Sequence, residues 1–252
     1  SFLLPYFTIY HLSDAIAACR RRQDNCPACK LFLRRSVARL CRICYTFDNT
    51  YDNTYIKEVL FMSVMDTLVS RRTYRRFAQK AVPQDVVDDI VEAVRLSSCG
   101  ANRQAVRLVV VNKPEAVAKV QPLVKWAAYL PPEQGTPKSD ELPTLYVAVV
   151  QDTSIPGDLA TDTGIALANM TLAAWNKGVG SCIMGAINKP ALTALLGIEE
   201  PQKLAFMVAF GYPAHKAHIV PLTAETGVKY YLDENRDYCV PKRSKEEIAK
   251  YL

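Results

Sequence analysis

Between residues 162 and 187 the chain reads DTGIALANMTLAAWNKGVGSCIMGAI. Ile165, Ala168, Met170, Leu172, Ala173 and Trp175 fall on more than one helical face, which predicts a helix over 165–177 buried on most sides. Ala166, Ala168, Thr171, Ala173 and Ala174 are small enough to let other backbones approach closely. Gly178 follows Lys177 where a left-handed cap belongs. Periodicity alone makes this a core helix with a glycine exit. Gly180, Ser181 and Gly185 then punctuate a short apolar run, where backbone can also lie flat against a ligand.

Elsewhere the pattern predicts a short amphipathic helix from Val64. A second helix spans 84–96, introduced by Pro83, with Val86, Val87, Ile90, Val91 and Val94 on one face. Buried strands are predicted at 108–111, 145–150 and 204–210. A helix follows Pro114 to about Trp126, and another runs over 190–196 to Gly197. The Pro-rich stretch 130–143 reads as a loop or lid. Ser244 and Glu247 fit a capping box opening the last helix.

Composition divides the chain. It has 252 residues, half of them apolar, and a net charge of +6. Residues 1–61 hold nine Lys or Arg against five Asp or Glu; the remainder holds 22 against 20 and is nearly balanced, giving no reason to invoke nucleic acid. Five of the eight cysteines crowd the first segment, and no glycine precedes Gly100. The seam falls near Met62. Three scattered cysteines in the body, Cys99, Cys182 and Cys239, point to a reducing, cytoplasmic setting with no disulfide framework. No apolar run reaches membrane-spanning length, so no membrane association is expected.

Three readings stand for residues 1–61. Cys26-Pro-Ala-Cys29 and Cys41-Arg-Ile-Cys44 are CxxC pairs suited to tetrahedral zinc, although the eleven-residue gap is short for a zinc ribbon. The segment also reads as a disordered extension. Finally, Lys57-Glu58-Val59 can be encoded by a purine tract resembling a ribosome-binding site before Met62, so the segment reads as translated upstream DNA, a poorly structured and non-native leader.

Chemistry concentrates in three places. Arg71-Arg72-Thr73-Tyr74-Arg75-Arg76-Phe77 packs four guanidinium groups into six residues, either a solvated face or a phosphate clamp. Residues 97–104 read SSCGANRQ, and Lys242-Arg243 stands beside the predicted last helix. There is no GxGxxG after a strand, no P-loop and no GxSxG. His11, His215 and His218 offer no hydrolase constellation, and the latter two read as surface residues.

Together these motifs resemble the FMN-dependent nitroreductase family. Asp162, Gly164, Asn169, Met170, 172–174, 178–182, Gly185 and Ala186 match the family's D-x-G-x-x-x-x-N-M-x-L-A-A helix and G-x-G-S-C-x-x-G-A loop. Residues 71–77 match R-R-S-x-R-x-F with Thr73 for Ser; Gly100 to Gln104 match S-P-S-G-A-N-R-Q-P-W, while Ser98, Cys99, Ala105 and Val106 depart. The resemblance covers residues 62–252. It implies an α+β fold, a mixed central β-sheet flanked by helices, and an intertwined homodimer with FMN at the interface. It also implies the cofactor contacts: Arg71, Arg72, Thr73 and Arg75, with Arg75 at the pyrimidine edge of the ring; Ser98, Cys99, Asn102 and Gln104 reaching the flavin bound mainly to the other protomer; backbone of Ile183, Met184 and Gly185; and Lys242 and Arg243 on the phosphate. The implied activity is hydride transfer through FMN from NADH or NADPH to a small acceptor such as a nitroaromatic or quinone, with no catalytic side chain and no metal ligand. Dehydrogenation or reductive dehalogenation on the same scaffold, and a CxxC zinc module with a secondary flavin domain, are the alternatives.

Overall fold

The computed structural model describes residues 63–252. The CxxC pairs, and every reading placed on residues 1–61, lie outside the described residues.

The core is built on β2 (Leu145–Asp152), where Leu145 through Val150 are all buried. Strand side chains alternate, so an unbroken apolar run means that both faces are covered. Tyr146, Ala148 and Val150 pack on one side with Tyr74, Phe77, Val120, Met184, Leu192 and Met207. Leu145, Val147 and Val149 pack on the other with Val86, Val87, Ile90, Leu167, Met170 and Phe210. Around β2 stand β1 (Val106–Val111), β4 (Gln202–Gly211) and β3 (Gly180–Met184), in the order β1-β2-β4-β3. Every pairing in this sheet is antiparallel. A smaller sheet, β5 (Ala217–Pro221), β7 (Tyr238–Lys242) and β6 (Tyr231–Leu232), contains the parallel pair β5–β7.

Helices follow their local signals. α1 (Val64–Ser70) opens with a capping box between Ser63 and Asp66. α2 (Gln84–Arg95) buries Val86, Val87 and Ile90. α3 (Pro114–Val120) stops short of Trp126, because Pro122 has no N–H to continue the ladder and the chain tightens into a 3₁₀ turn over Gln121–Leu123. α4 (Pro132–Gly135) is one turn inside the Pro-rich stretch.

The central helix, α5 (Leu159–Asn176), begins earlier than its apolar pattern, because the Asp158 carboxylate caps the N–H groups of Ala160 and Thr161. Gly178 takes the left-handed conformation at its exit, with φ of 72°. Met170 and Ala174 are buried against α2 and the sheet, whereas Ala168 is exposed and Ile165 and Leu172 half-buried. α6 (Lys189–Leu196) ends at left-handed Gly197, and α7 (Lys245–Ile248) carries the Ser244–Glu247 capping box. β3 and the small sheet are elements that local patterning does not reveal.

Candidate functional site

Residues 71–77 run beside β3 and are sewn to it. Thr73 bridges Ser181, the Tyr74 N–H donates to the Ser181 carbonyl at 2.9 Å, and Ala78 N–H donates to Tyr212 at 2.8 Å. Two glycines allow this approach. A Cβ on Gly180 would lie 2.7 Å from the Tyr74 ring, and one on Gly211 would lie 2.9 Å from the Phe77 ring.

This extended backbone sorts the arginines. Arg72, Tyr74 and Arg76 are buried, while Arg71, Thr73 and Arg75 are half-buried on the other side. The Arg72 guanidinium donates to the Leu68 and Val69 carbonyls at the end of α1, and Arg76 donates to the Arg236 carbonyl. Those two cations therefore tie elements together. Arg71 and Arg75 have no carboxylate partner among the described residues. Burial lowers the pKa values of Arg71 and Arg72, and the Arg71 charge beside Arg72 lowers the latter further. Neighbouring cations with no counter-ion favour an incoming anion.

Arg75 is held by residues that the sequence motifs do not include. Its backbone N–H donates to Nε2 of His215 at 3.0 Å, and its guanidinium carbon lies 4.2 Å from the Tyr230 centroid and 4.9 Å from that of Tyr238. His215 is thus no free surface histidine. Its ring lies 5.2 Å from that of Tyr74 and 4.8 Å from that of Tyr238. Nδ1 lies 2.7 Å from the Lys216 carbonyl. With Nε2 accepting from Arg75, Nδ1 carries the proton, which assigns a neutral tautomer. Burial pushes its pKa down to about 4. The clue in the sequence is the aromatic density of Tyr230, Tyr231 and Tyr238, which has no local periodicity to explain it.

His218 is exposed, as expected of a surface residue, 3.9 Å from Asp237. Its ligand atom and those of Asp233 and Asp237 gather within 4.8 Å. Both carboxylates already accept backbone N–H groups, from Asn235 and Asp237 and from Lys216, and these bonds close the turn before β7.

From β3, Ile183 is 41% exposed, Met184 is buried, and Gly185 faces the Phe206 ring. Lys242 ends β7 in solvent without an acidic partner among the described residues, whereas Arg243 pairs with Glu247 at 3.1 Å.

The loop after α2 lies on a cavity of about 290 Å³, lined by Ser98, Cys99, Gln104, Asp162 and Ala166 among others. None of Arg71, Thr73, Arg75, Ile183 or Lys242 lines it. Asn102 is exposed on the same loop. Ala101, Asn102 and Gln104 have φ of 50°, 53° and 54°, an uncommon backbone for such residues, held by specific bonds. The buried Asp162 carboxylate accepts the Gly100 N–H at 2.9 Å, Asn169 donates to Ser97 at 2.8 Å, and the Cys99 sulfur accepts the Gln104 N–H at 3.2 Å. The Asp-x6-Asn spacing on α5 thus pins a strained loop at two points. Cys182 is buried in the core and its thiol is pushed up to about 11 by desolvation, so it stays protonated and inert at neutral pH.

The chain belongs to the nitroreductase family, whose model matches residues 68–212. It is similar to the FMN reductase (NAD(P)H) of Bacillus subtilis strain 168, 25% identical over 214 residues that cover 75% of this chain and 82% of the relative. Among solved structures it resembles the nitroreductase family protein of Streptococcus pneumoniae TIGR4, with a TM-score of 0.53 and 18% identity over 65% of this chain and 97% of that one. The FMN-dependent nitroreductase of Clostridium difficile R20291 gives a TM-score of 0.51 and 18% identity over 61% and 89% of the two chains. These two structures establish the α+β nitroreductase fold.

Proposed function

We infer that the protein is an FMN-dependent oxidoreductase that takes hydride from NADH or NADPH and passes it to a small acceptor such as a nitroaromatic or a quinone. The observation that carries the reading is the sorting of residues 71–77, which leaves Arg71 and Arg75 without carboxylate partners beside the exposed Ile183 end of β3. FMN, when bound, would supply the redox chemistry. Arg71 and Lys242 would hold the phosphate, and the Thr73 hydroxyl would be a further contact to the flavin. Arg75 offers its charge to the pyrimidine edge, where negative charge collects on reduction. Ile183, Met184 and Gly185 present a flat, largely apolar backbone to one ring face.

Two copies complete the site. Ser98, Cys99 and Gln104 line a cavity to which Arg71, Thr73 and Arg75 do not contribute, and α5 leaves Ile165, Ala168 and Leu172 incompletely covered. Val64, Met65 and Val69 of α1 are each more than 60% exposed. A second copy would cover apolar surface of this kind and bring its own 98–104 loop to the flavin. A cytoplasmic setting agrees with the free thiols Cys99, Cys182 and Cys239, and no helix among the described residues is long and apolar enough to cross a membrane.

The reading is tested by reconstituting the protein with FMN and FAD: FMN alone is retained, and only by the dimer. Arg71→Ala is expected to weaken FMN binding by on the order of 1.5–3 kcal/mol, the scale of a charged hydrogen bond. Arg72→Ala is expected to lower the melting temperature as well, since its guanidinium caps α1; calorimetry on both variants separates the effects. Residues 62–252 are proposed to form the complete flavin domain. A chain starting at Met62 should then melt, bind FMN and turn over as the full chain does. Stoichiometric zinc in the full chain, with a destabilised truncation, would contradict that.

A further inference from the structure

We propose that Tyr230 is a positioning residue that sets the reduction potential of the flavin by seating the Arg75 side chain without neutralising it. This rests on the reading that Arg75 faces the pyrimidine edge of FMN.

Among the described residues no carboxylate lies within ion-pair distance of the Arg75 guanidinium, although a long, flexible side chain needs something to fix its direction. The backbone is fixed by His215 at 3.0 Å. The guanidinium is fixed by two ring faces, with its central carbon 4.2 Å from the Tyr230 centroid and 4.9 Å from that of Tyr238. Those rings stand 5.8 Å apart at 55°, so the cation sits in a V between them. Tyr230 is steadied in turn: its ring lies 5.1 Å from that of Tyr129, and its hydroxyl accepts the Tyr129 N–H at 3.5 Å.

An aromatic seat differs from a carboxylate seat in one consequential way. A carboxylate would orient Arg75 but cancel its charge and occupy its in-plane N–H donors. A ring face attracts the cation through its quadrupole and leaves both the charge and the donor edge available. An arginine held this way stabilises an anion that develops beside it, and the size of that stabilisation depends on how well it is aimed. Tyr238 is 1% exposed and part of the core, so its role is structural as well. Tyr230 is half-buried, just ahead of β6, and lies beyond the stretch 68–212 matched by the family model. It is therefore the adjustable member of the pair.

The test measures the reduction potential of FMN bound to the parent, Tyr230→Phe, Tyr230→Leu, Arg75→Ala and the double variant Arg75→Ala/Tyr230→Leu. Tyr230→Phe keeps the ring face and is expected to keep the parent potential. Tyr230→Leu is expected to make the potential more negative, in the direction of Arg75→Ala but by less, and to add nothing when Arg75 is already absent. In the flavin-free protein the Arg75 Nε–H proton should show an aromatic ring-current shift that Tyr230→Phe retains and Tyr230→Leu reduces to the contribution of Tyr238, with little change in melting temperature. Arg75→Ala lowering the potential while Tyr230→Leu leaves it unaltered would overturn the role of Tyr230 alone. So would an equal shift with and without Arg75. An unaltered potential in Arg75→Ala would overturn the placement of Arg75 on the flavin, and this proposal with it.

Discussion

Gly180→Ala is expected to abolish tight FMN binding and to destabilise the fold. The added Cβ would lie 2.7 and 2.9 Å from ring carbons of Tyr74 and 3.0 Å from the Pro213 ring. Tyr74 has nowhere to go. It is 5% exposed, stacked on Trp175 at 5.0 Å and packed against His215. Overfilling such a site costs about 1–3 kcal/mol. Relief requires residues 71–77 to lift from β3, which stretches the Tyr74–Ser181 hydrogen bond and displaces Arg71, Thr73 and Arg75 together. Gly178→Ala is the control: its φ is 72°, but nothing lies within 4 Å of the new Cβ. That variant should lose about 1 kcal/mol to left-handed strain and keep its FMN affinity. Denaturant melts and FMN titrations on the two variants check the contrast. Parent-like affinity in Gly180→Ala would contradict the fit described for the arginine segment.

The second large effect is acid sensitivity through His215. Its folded pKa lies near 4, below the ordinary histidine value of 6.5, chiefly because the ring is buried. The nearby Arg76 and Arg75 charges oppose its protonation, while Asp237 and the Lys216 carbonyl favour it. Between these values the unfolded chain takes up a proton that the folded chain refuses. Stability therefore falls as pH drops from about 6.5 towards 4, and this contribution levels off below. A tenfold difference in proton affinity corresponds to about 1.4 kcal/mol; with allowance for water at the half-buried ring, the loss is on the order of 2 kcal/mol. Protonation of the folded ring, which sets in only as pH approaches 4, also removes the acceptor for the Arg75 N–H, so FMN should be released at the lower end of that range, near pH 4. His215→Gln keeps an acceptor and removes the titration. The stability difference between parent and His215→Gln, followed by urea melts across that range, should change with pH. A constant difference would refute the role assigned to His215.

Much of the frame is legible in the sequence. β2, the central helix and its glycine exit, and the Ser244 capping box each carry a local signal: an unbroken apolar run, a left-handed position, a fixed spacing of polar side chains. β3 is not legible, since five residues punctuated by Gly180 become a strand only through pairing with β4. The small sheet rests on β5 and β7, a parallel pair separated by the 222–237 connection, and neither strand alternates cleanly.

The site is half legible. Arg71 to Phe77 announces a cationic segment, but arginine on both faces hides which side is buried; Tyr74 packed under Gly180 decides it. His215 and Tyr230 reach Arg75 across more than a hundred residues, beyond any local pattern.

The central claim is that this arrangement holds FMN and receives hydride from a nicotinamide. The most direct measurement is an anaerobic titration of the FMN-reconstituted protein with NADH and with NADPH, following the visible flavin bands. The bands are predicted to bleach in proportion to the nicotinamide added, and a quinone or nitroaromatic is then predicted to restore them. Failure to retain FMN, or bound FMN that neither nicotinamide reduces, would contradict the claim.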